Sequence, residues 1–470
     1  MLVGRDRALA WFLALQLLIA AVFGGVLVHA LRAPQKQTLV VQPGQVAPVV
    51  DGSTPAATTA APTVPGKPTT AVGGTVGGTK GTAGTQGTTG TKTSTGSTGT
   101  SGSNPGVKAG ATLTFGSIVT QNFSITFKDS KAGTQAYLAQ VNAKGGANGH
   151  KIQMIYNDDQ GSSQTGYKQA QSLVNQNVLA FAAFNAPITE GYSSFKTLLD
   201  DNKLPLIGSY GESLEYKDQY AFAFTANYVH FGYEMGKFLV EKGSKKPAFM
   251  YIDNSPDTVA NDEIERGFKA GVTAAGGNGS AAVFDKVSTT QATFDNDLSQ
   301  FQVMGVDGFG SILDNTGYGR LLQAQARANY YPTHVATPLF DLDSVKSQAH
   351  TDQHPVYVAS DIDFLETGGP AVQEYVKAIK AQGGTPSYLG SVGWLDAIYL
   401  VQAVSKLGSS FTRADLLNAM NSLGSYDNGF THQLTIAPGF HDMNRCVKFG
   451  RISNQVLTQV QDWTCDTQQP

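Results

Sequence analysis

The chain of 470 residues is short of the features that mark several function classes. It holds only two cysteines, Cys446 and Cys465, and a zinc site needs three or four ligands. Lysine and arginine total 33 against 36 acids, a formal net charge of −3, with no long run of either sign. Without a basic stripe, a nucleic-acid partner is excluded. Neither Gly-x-Ser-x-Gly nor His-Glu-x-x-His occurs, and histidines such as His230, His432 and His441 have no nucleophile in a telling pattern. That argues against a secreted hydrolase. No catalytic residue, metal or cofactor is expected.

What is present begins with an apolar run. Residues 8–31, ALAWFLALQLLIAAVFGGVLVHAL, carry no charged side chain and follow Arg5 and Arg7. As a helix rising about 1.5 Å per residue the run reaches about 36 Å, enough to span a bilayer with the arginines on the cytoplasmic side. A cleavable signal ending at Val28-His29-Ala30 is the alternative, but the run exceeds the usual h-region. Residues 1–33 therefore read as a membrane anchor or signal, with the rest of the chain exported. Residues 34–110 are rich in Gly, Thr and Ser. Such a segment cannot bury enough surface to offset its ordering entropy, so it reads as a disordered linker. Within it, GTTGTKTS at 87–94 lacks the Gly-Lys-Ser/Thr order of a phosphate loop and follows no strand.

From Ala111 the composition becomes that of a folded domain. Apolar, β-branched runs such as ATLTFGSIV, VLAFAAF, LPLIGSY, PAFMYID and VDGFGSILD alternate with helical stretches such as GSSQTGYKQAQSLVNQ, HFGYEMGKFLVEKG and GYGRLLQAQARANY. Short strand and helix units in alternation imply parallel sheets covered by helices. There are too many units for one compact sheet, so two α/β lobes are expected. Asp158 and Asp159, side by side at a strand end, read as polar turn residues, one of them capping the next helix.

Several segments together are specific. The turn and strand VNAKGGANGHKIQMIYNDD, the loop LPLIGSYGES, and the helices GYGRLLQAQARANY, GWLDAIYLVQAVSKLG and TRADLLNAMNSL occur in this order. This region resembles the type I periplasmic binding proteins, the branched-chain amino acid binding family of ABC importers, over nearly all of 111–463. The resemblance implies two Rossmann-like lobes with parallel sheets, joined by three crossings near 224–229, 357–360 and 446–451. The first lobe would comprise 111–226 and 358–446, the second 227–357 and the C-terminal strands at 447–470. It also implies a small-molecule ligand trapped between the lobes and an ABC permease as the membrane partner. A sensor acting through a membrane partner is the alternative on the same fold.

Ligands of open parallel sheets lie beyond the carboxyl ends of the strands. That selects Asn185, Ala186 and Thr189 in FNAPITEG, where backbone N–H groups at a helix start suit a carboxylate. It also selects Ser209, Tyr210, Gly211 and Glu212 in GSYGES. Glu212 reads either as an anion for an ammonium group or as a solvent-facing acid. In the second lobe the candidates are Asp257, Asp314, Phe340 and Asp341; for an aspartate at a strand end, helix capping is the competing role. Trp394 reads equally as a cleft aromatic or as core. The loops carry Asn-Ala-Pro and Tyr-Gly-Glu where the family has small hydroxyls, which puts an amino acid ligand in question. Cys446 and Cys465 are compatible with a disulfide across two strands turning near Ser453-Asn454, and a reactive pair would want a tighter spacing.

Overall fold

The computed structural model describes residues 105–121, 127–184, 191–208, 211–253, 259–338, 354–438, 440–442 and 444–465. The first lobe is built on a parallel five-stranded sheet of order β3-β2-β4-β5-β6. Its strands are β2 (Leu113–Ile118), β3 (Ile152–Asn157), β4 (Phe181–Phe184), β5 (Leu206–Gly208) and β6 (Ala221–Phe222). Helices α1 (Lys128–Ala143), α2 (Ser163–Asn175) and α3 (Gly191–Asn202) connect successive strands.

The second lobe is built on a seven-stranded sheet of order β17-β16-β11-β10-β9-β7-β8. Five strands run parallel: β7 (Pro247–Ile252), β8 (Val283–Val287), β9 (Gly308–Ile312), β10 (Thr333–Ala336) and β11 (Val356–Ser360). Their helices are α4 (Tyr228–Glu241), α5 (Val259–Ala274), α6 (Asp295–Met304) and α7 (Asn315–Ala328). All six residues of β7 are buried, as expected for a strand with helices on both faces. Helices α4 and α5 approach so closely that a Cβ on Gly267 would stand 2.0 Å from the Val229 carbonyl oxygen. One on Gly271 would stand 1.9 Å from the Tyr233 carbonyl oxygen.

After β11 the chain returns to the first lobe as α8 (Pro370–Ala381), α9 (Tyr388–Ser405) and α10 (Arg413–Asn421). The Arg413 guanidinium docks α10 by donating to the carbonyls of Val178 at 2.7 Å, Asn202 at 3.1 Å and Leu179 at 3.2 Å. A small antiparallel sheet follows, β13 (Gly424–Tyr426), β14 (Leu434–Ala437) and β15 (Phe440–Asp442). The hairpin β16 (Cys446–Ser453) and β17 (Val456–Cys465) then closes the second lobe, with β16 antiparallel to β11. Its turn residues Asn454 and Gln455 both have positive φ, the backbone of a tight hairpin turn. Cys446 and Cys465 are register partners joined by the expected disulfide.

Two expectations shift. The linker was read as continuing to residue 110, yet β1 (Gly106–Val107) pairs with β12 (Phe411–Thr412) ahead of α10. Two ladder pairs and the bond from Arg413 N–H to the Pro105 carbonyl tie this stretch down despite its polar composition. The second return was placed at 357–360, but those residues lie within β11, and the chain leaves the larger sheet after Ser360. Among the described residues no helix is long and apolar enough to cross a membrane. The run at 8–31 and the linker up to residue 104 lie outside them.

Candidate functional site

The segment after β5 lies where the lobes meet. Gly211 adopts φ +80°, and an added Cβ would stand 3.1 Å from the Tyr228 ring, so glycine answers both the backbone and the crowding. Its carbonyl accepts from the Tyr228 N–H at 2.8 Å, in the first turn of α4. Two residues on, the Ser213 N–H donates to Glu263 Oε2 at 2.9 Å, on α5. Both neighbours of Glu212 are thus held by the second lobe. Burial pushes the Glu263 carboxyl up, against hydrogen bonds from Ser213 and the positive charges of Arg266 and Lys217.

The Glu212 side chain turns the other way, into the first lobe. It is 2% exposed, and Oε1 accepts from the Tyr192 N–H at 3.0 Å. Tyr192 lies at the start of the described part of α3. Glu215, also fully buried, accepts from the Gly211 N–H at 3.1 Å through Oε2.

Behind this segment Asp361 gathers the strands of chain that pass between the lobes. Its carboxylate accepts from the Ala226 N–H at 2.6 Å and from the Tyr388 hydroxyl at 2.9 Å. Its carbonyl accepts from Asn444 Nδ2 at 2.5 Å. Ala226 lies between β6 and α4, Asp361 follows β11, and Asn444 precedes β16. Burial raises the Asp361 carboxyl to about 6, against the two hydrogen bonds.

Of the candidate residues, Gly211 and Glu212 lie in this segment. Asp314 caps α7, its Oδ1 accepting from the Gly317 N–H at 2.5 Å. Trp394 is 1% exposed and meets Tyr137 and Tyr375 edge-on, with ring centroids 5.0 and 5.6 Å away. Its indole is first-lobe core, the second of its two readings. Asn185, Ala186, Thr189, Ser209, Tyr210, Asp257, Phe340 and Asp341 lie outside the described residues. Asp158 and Asp159 do not cap α2; Ser162 does, accepting from the Thr165 N–H. Asp158 instead accepts from the Gln121 and Gln160 N–H groups, and Asp159 from the Thr120 hydroxyl and the Gly161 N–H.

Glu215, Tyr228, Glu263 and Asp361 were not among the sequence candidates. Asp361, directly after the strand VYVAS, had a signal of the kind that selected Asp314. Glu263 sits mid-helix in NDEIER and had none.

A family model described as "Periplasmic binding protein" matches residues 106–456. The chain belongs to the periplasmic binding protein family. Membership makes it a solute-binding type of protein and implies an extracytoplasmic location. No curated protein matches the sequence. Among solved structures, a fatty acid ABC transporter substrate-binding protein from Thermomonospora curvata is 16% identical with a TM-score of 0.66. The match covers 77% of this chain and 95% of that one. A branched chain amino acid ABC transporter protein from Thermus thermophilus with bound valine is 13% identical with a TM-score of 0.65. It covers 76% of this chain and 97% of that one. An extracellular ligand-binding receptor from Verminephrobacter eiseniae is 20% identical, TM-score 0.60, covering 74% and 99%. At such identities the likeness is one of fold.

Proposed function

We propose that this binding protein captures a small polar or amphipathic metabolite between its two lobes and delivers it to an ABC permease. The observation that carries the reading is the meeting of the interlobe passages at Asp361, whose carboxylate and carbonyl hold Ala226 and Asn444. A few backbone rotations there reorient one lobe on the other without disturbing either sheet, the requirement of hinge closure. Ligand then favours the closed form by its differential affinity, and closure is what a permease reads.

The ligand-facing surface in this reading includes Gly211 with the loops bearing Asn185, Ala186, Thr189, Ser209, Tyr210, Asp257, Phe340 and Asp341. The apolar run at 8–31 would hold the protein at the membrane, and the linker would raise its effective concentration near the permease. The named ABC-transporter likenesses support the importer reading over a sensor. We assign no reaction to the chain.

Native mass spectrometry of the full chain, purified without denaturation, tests capture. A stoichiometric small-molecule adduct, lost on unfolding and refolding with a larger radius of gyration afterwards, is the expected result. An adduct-free chain whose scattering is unchanged by the cycle would contradict it.

A further inference from the structure

The second lobe carries a cavity of about 170 Å³ at the end of its sheet remote from the cleft. Thr333 and Val356, the first residues of the parallel strands β10 and β11, line it. The carboxyl ends of those strands, where a cleft ligand sits, are at the opposite edge of the sheet. Gln325, near the end of α7, lines it from the helix side. An apolar cavity of about 150 Å³ takes benzene, so this space suits one ring with a small substituent.

The lining sets the chemistry of such a ligand. It holds no aspartate, glutamate, lysine or arginine, so a charge entering it meets no counter-ion and its desolvation goes uncompensated. Tyr331 and His354, both in the lining, stack with ring centroids 3.8 Å apart and planes 7° apart. Their rings give an aromatic surface for a planar molecule to pack against.

Two polar groups of the lining are buried without full partnering. Gln325 is 3% exposed, and its side chain makes no hydrogen bond among the described residues. His334 is 2% exposed, and burial lowers its pKa to about 3, which keeps the ring neutral. Its Nε2 lies 2.7 Å from Ser311 Oγ. The Tyr318 hydroxyl gives its own proton to the Ser311 carbonyl at 2.7 Å and stands 3.5 Å from Ser311 Oγ. The Ser311 hydroxyl therefore donates along the shorter contact, to Nε2, which puts the ring proton of His334 on Nδ1. Nδ1 has no hydrogen-bond partner. Buried polar groups left in this state are uncommon.

We propose that this cavity is a second ligand site, taking a small uncharged planar ring that carries an amide. The ring packs on the Tyr331–His354 pair, the ligand carbonyl accepts from the His334 imidazole, and the ligand amide N–H donates to Gln325. The site is independent of solute capture, because it lies at the other end of the sheet.

Isothermal titration calorimetry of the full chain at pH 7 tests it, with benzamide, benzoate, benzylammonium and toluene as probes. The wild type is expected to bind benzamide one to one, and benzoate and benzylammonium at least tenfold more weakly. Gln325→Leu and Tyr331→Ala should each lower benzamide affinity at least tenfold. Toluene asks for no polar partner, so Gln325→Leu should keep or raise its affinity, which a general loss of structure would not do. Should Gln325→Leu fail to fold, the charge ranking in the wild type and Tyr331→Ala decide the matter.

No heat from benzamide up to its solubility overturns the site. So does equal affinity for benzamide and benzoate, or benzamide binding that neither substitution weakens. Each of these results leaves capture in the cleft standing.

Discussion

The Asp361 carboxylate lies 2.6 Å from the Ala226 backbone nitrogen, joining the first interlobe passage to the second. The bond is buried, and burial raises the Asp361 carboxyl from 3.8 to about 6. Between those values the folded chain binds more protons than the unfolded one. Stability from this group is therefore greatest below the unfolded value and falls as pH rises through about 6. A shift of this size corresponds to about 3 kcal/mol. His334 runs the other way: burial lowers it to about 3, so its stabilisation is present above 6.5 and is lost as pH falls. Denaturant unfolding of the wild type and Asp361→Asn from pH 4.5 to 7.5 separates the two. The difference between the proteins should change by about 2 kcal/mol across that range, while a flat difference would place the Asp361 titration elsewhere.

Gly271→Ala tests the contact of α4 with α5. The new methyl carbon would meet the Tyr233 carbonyl, a backbone atom that cannot turn aside. Alanine's better helix propensity contributes about 1 kcal/mol at most, and overpacking typically costs about 1–3 kcal/mol. A net loss of about 2 kcal/mol in chemical unfolding is expected, and an unchanged midpoint would show that the helices are not in contact.

The disulfide offers a local test. Cys446 and Cys465 are 19 residues apart in sequence, and closing a loop of that length removes unfolded-chain entropy worth about 3 kcal/mol. The Cys446→Ser, Cys465→Ser double variant should lose about that much, and a reductant should lower the wild-type melting temperature to match. Amide exchange should rise first in β16 and β17.

The alternation of apolar strands with helices made the α/β class legible, because a parallel sheet needs both the continuous burial of runs like PAFMYI and the crossover helices between them. The hairpin at Asn454 was legible for a similarly local reason. Other features depend on partners far apart in sequence. Gly106 and Val107 read as linker because their pairing strand lies some 300 residues on, at Phe411–Thr412. Trp394 carried two readings because a large aromatic on an apolar helix serves core or cleft equally well; Tyr137 and Tyr375 decide for core. Glu212 carried two readings, an anion for an ammonium group or a solvent-facing acid; it is 2% exposed, and its partner Tyr192 was not legible because it lies 20 residues away in another element.

The central claim is that the lobes close on one small molecule, and the most direct measurement is ligand-dependent melting of the full chain. The panel comprises amino acids, their amides and alcohols, short amines and short fatty acids. A ligand at about 100 times its Kd stabilises the folded state by about 2.7 kcal/mol. One chemical series should therefore raise the melting temperature by several degrees, saturably, with a matching fall in the radius of gyration. Melting that stays the same with every compound, together with scattering that never changes, would contradict the claim.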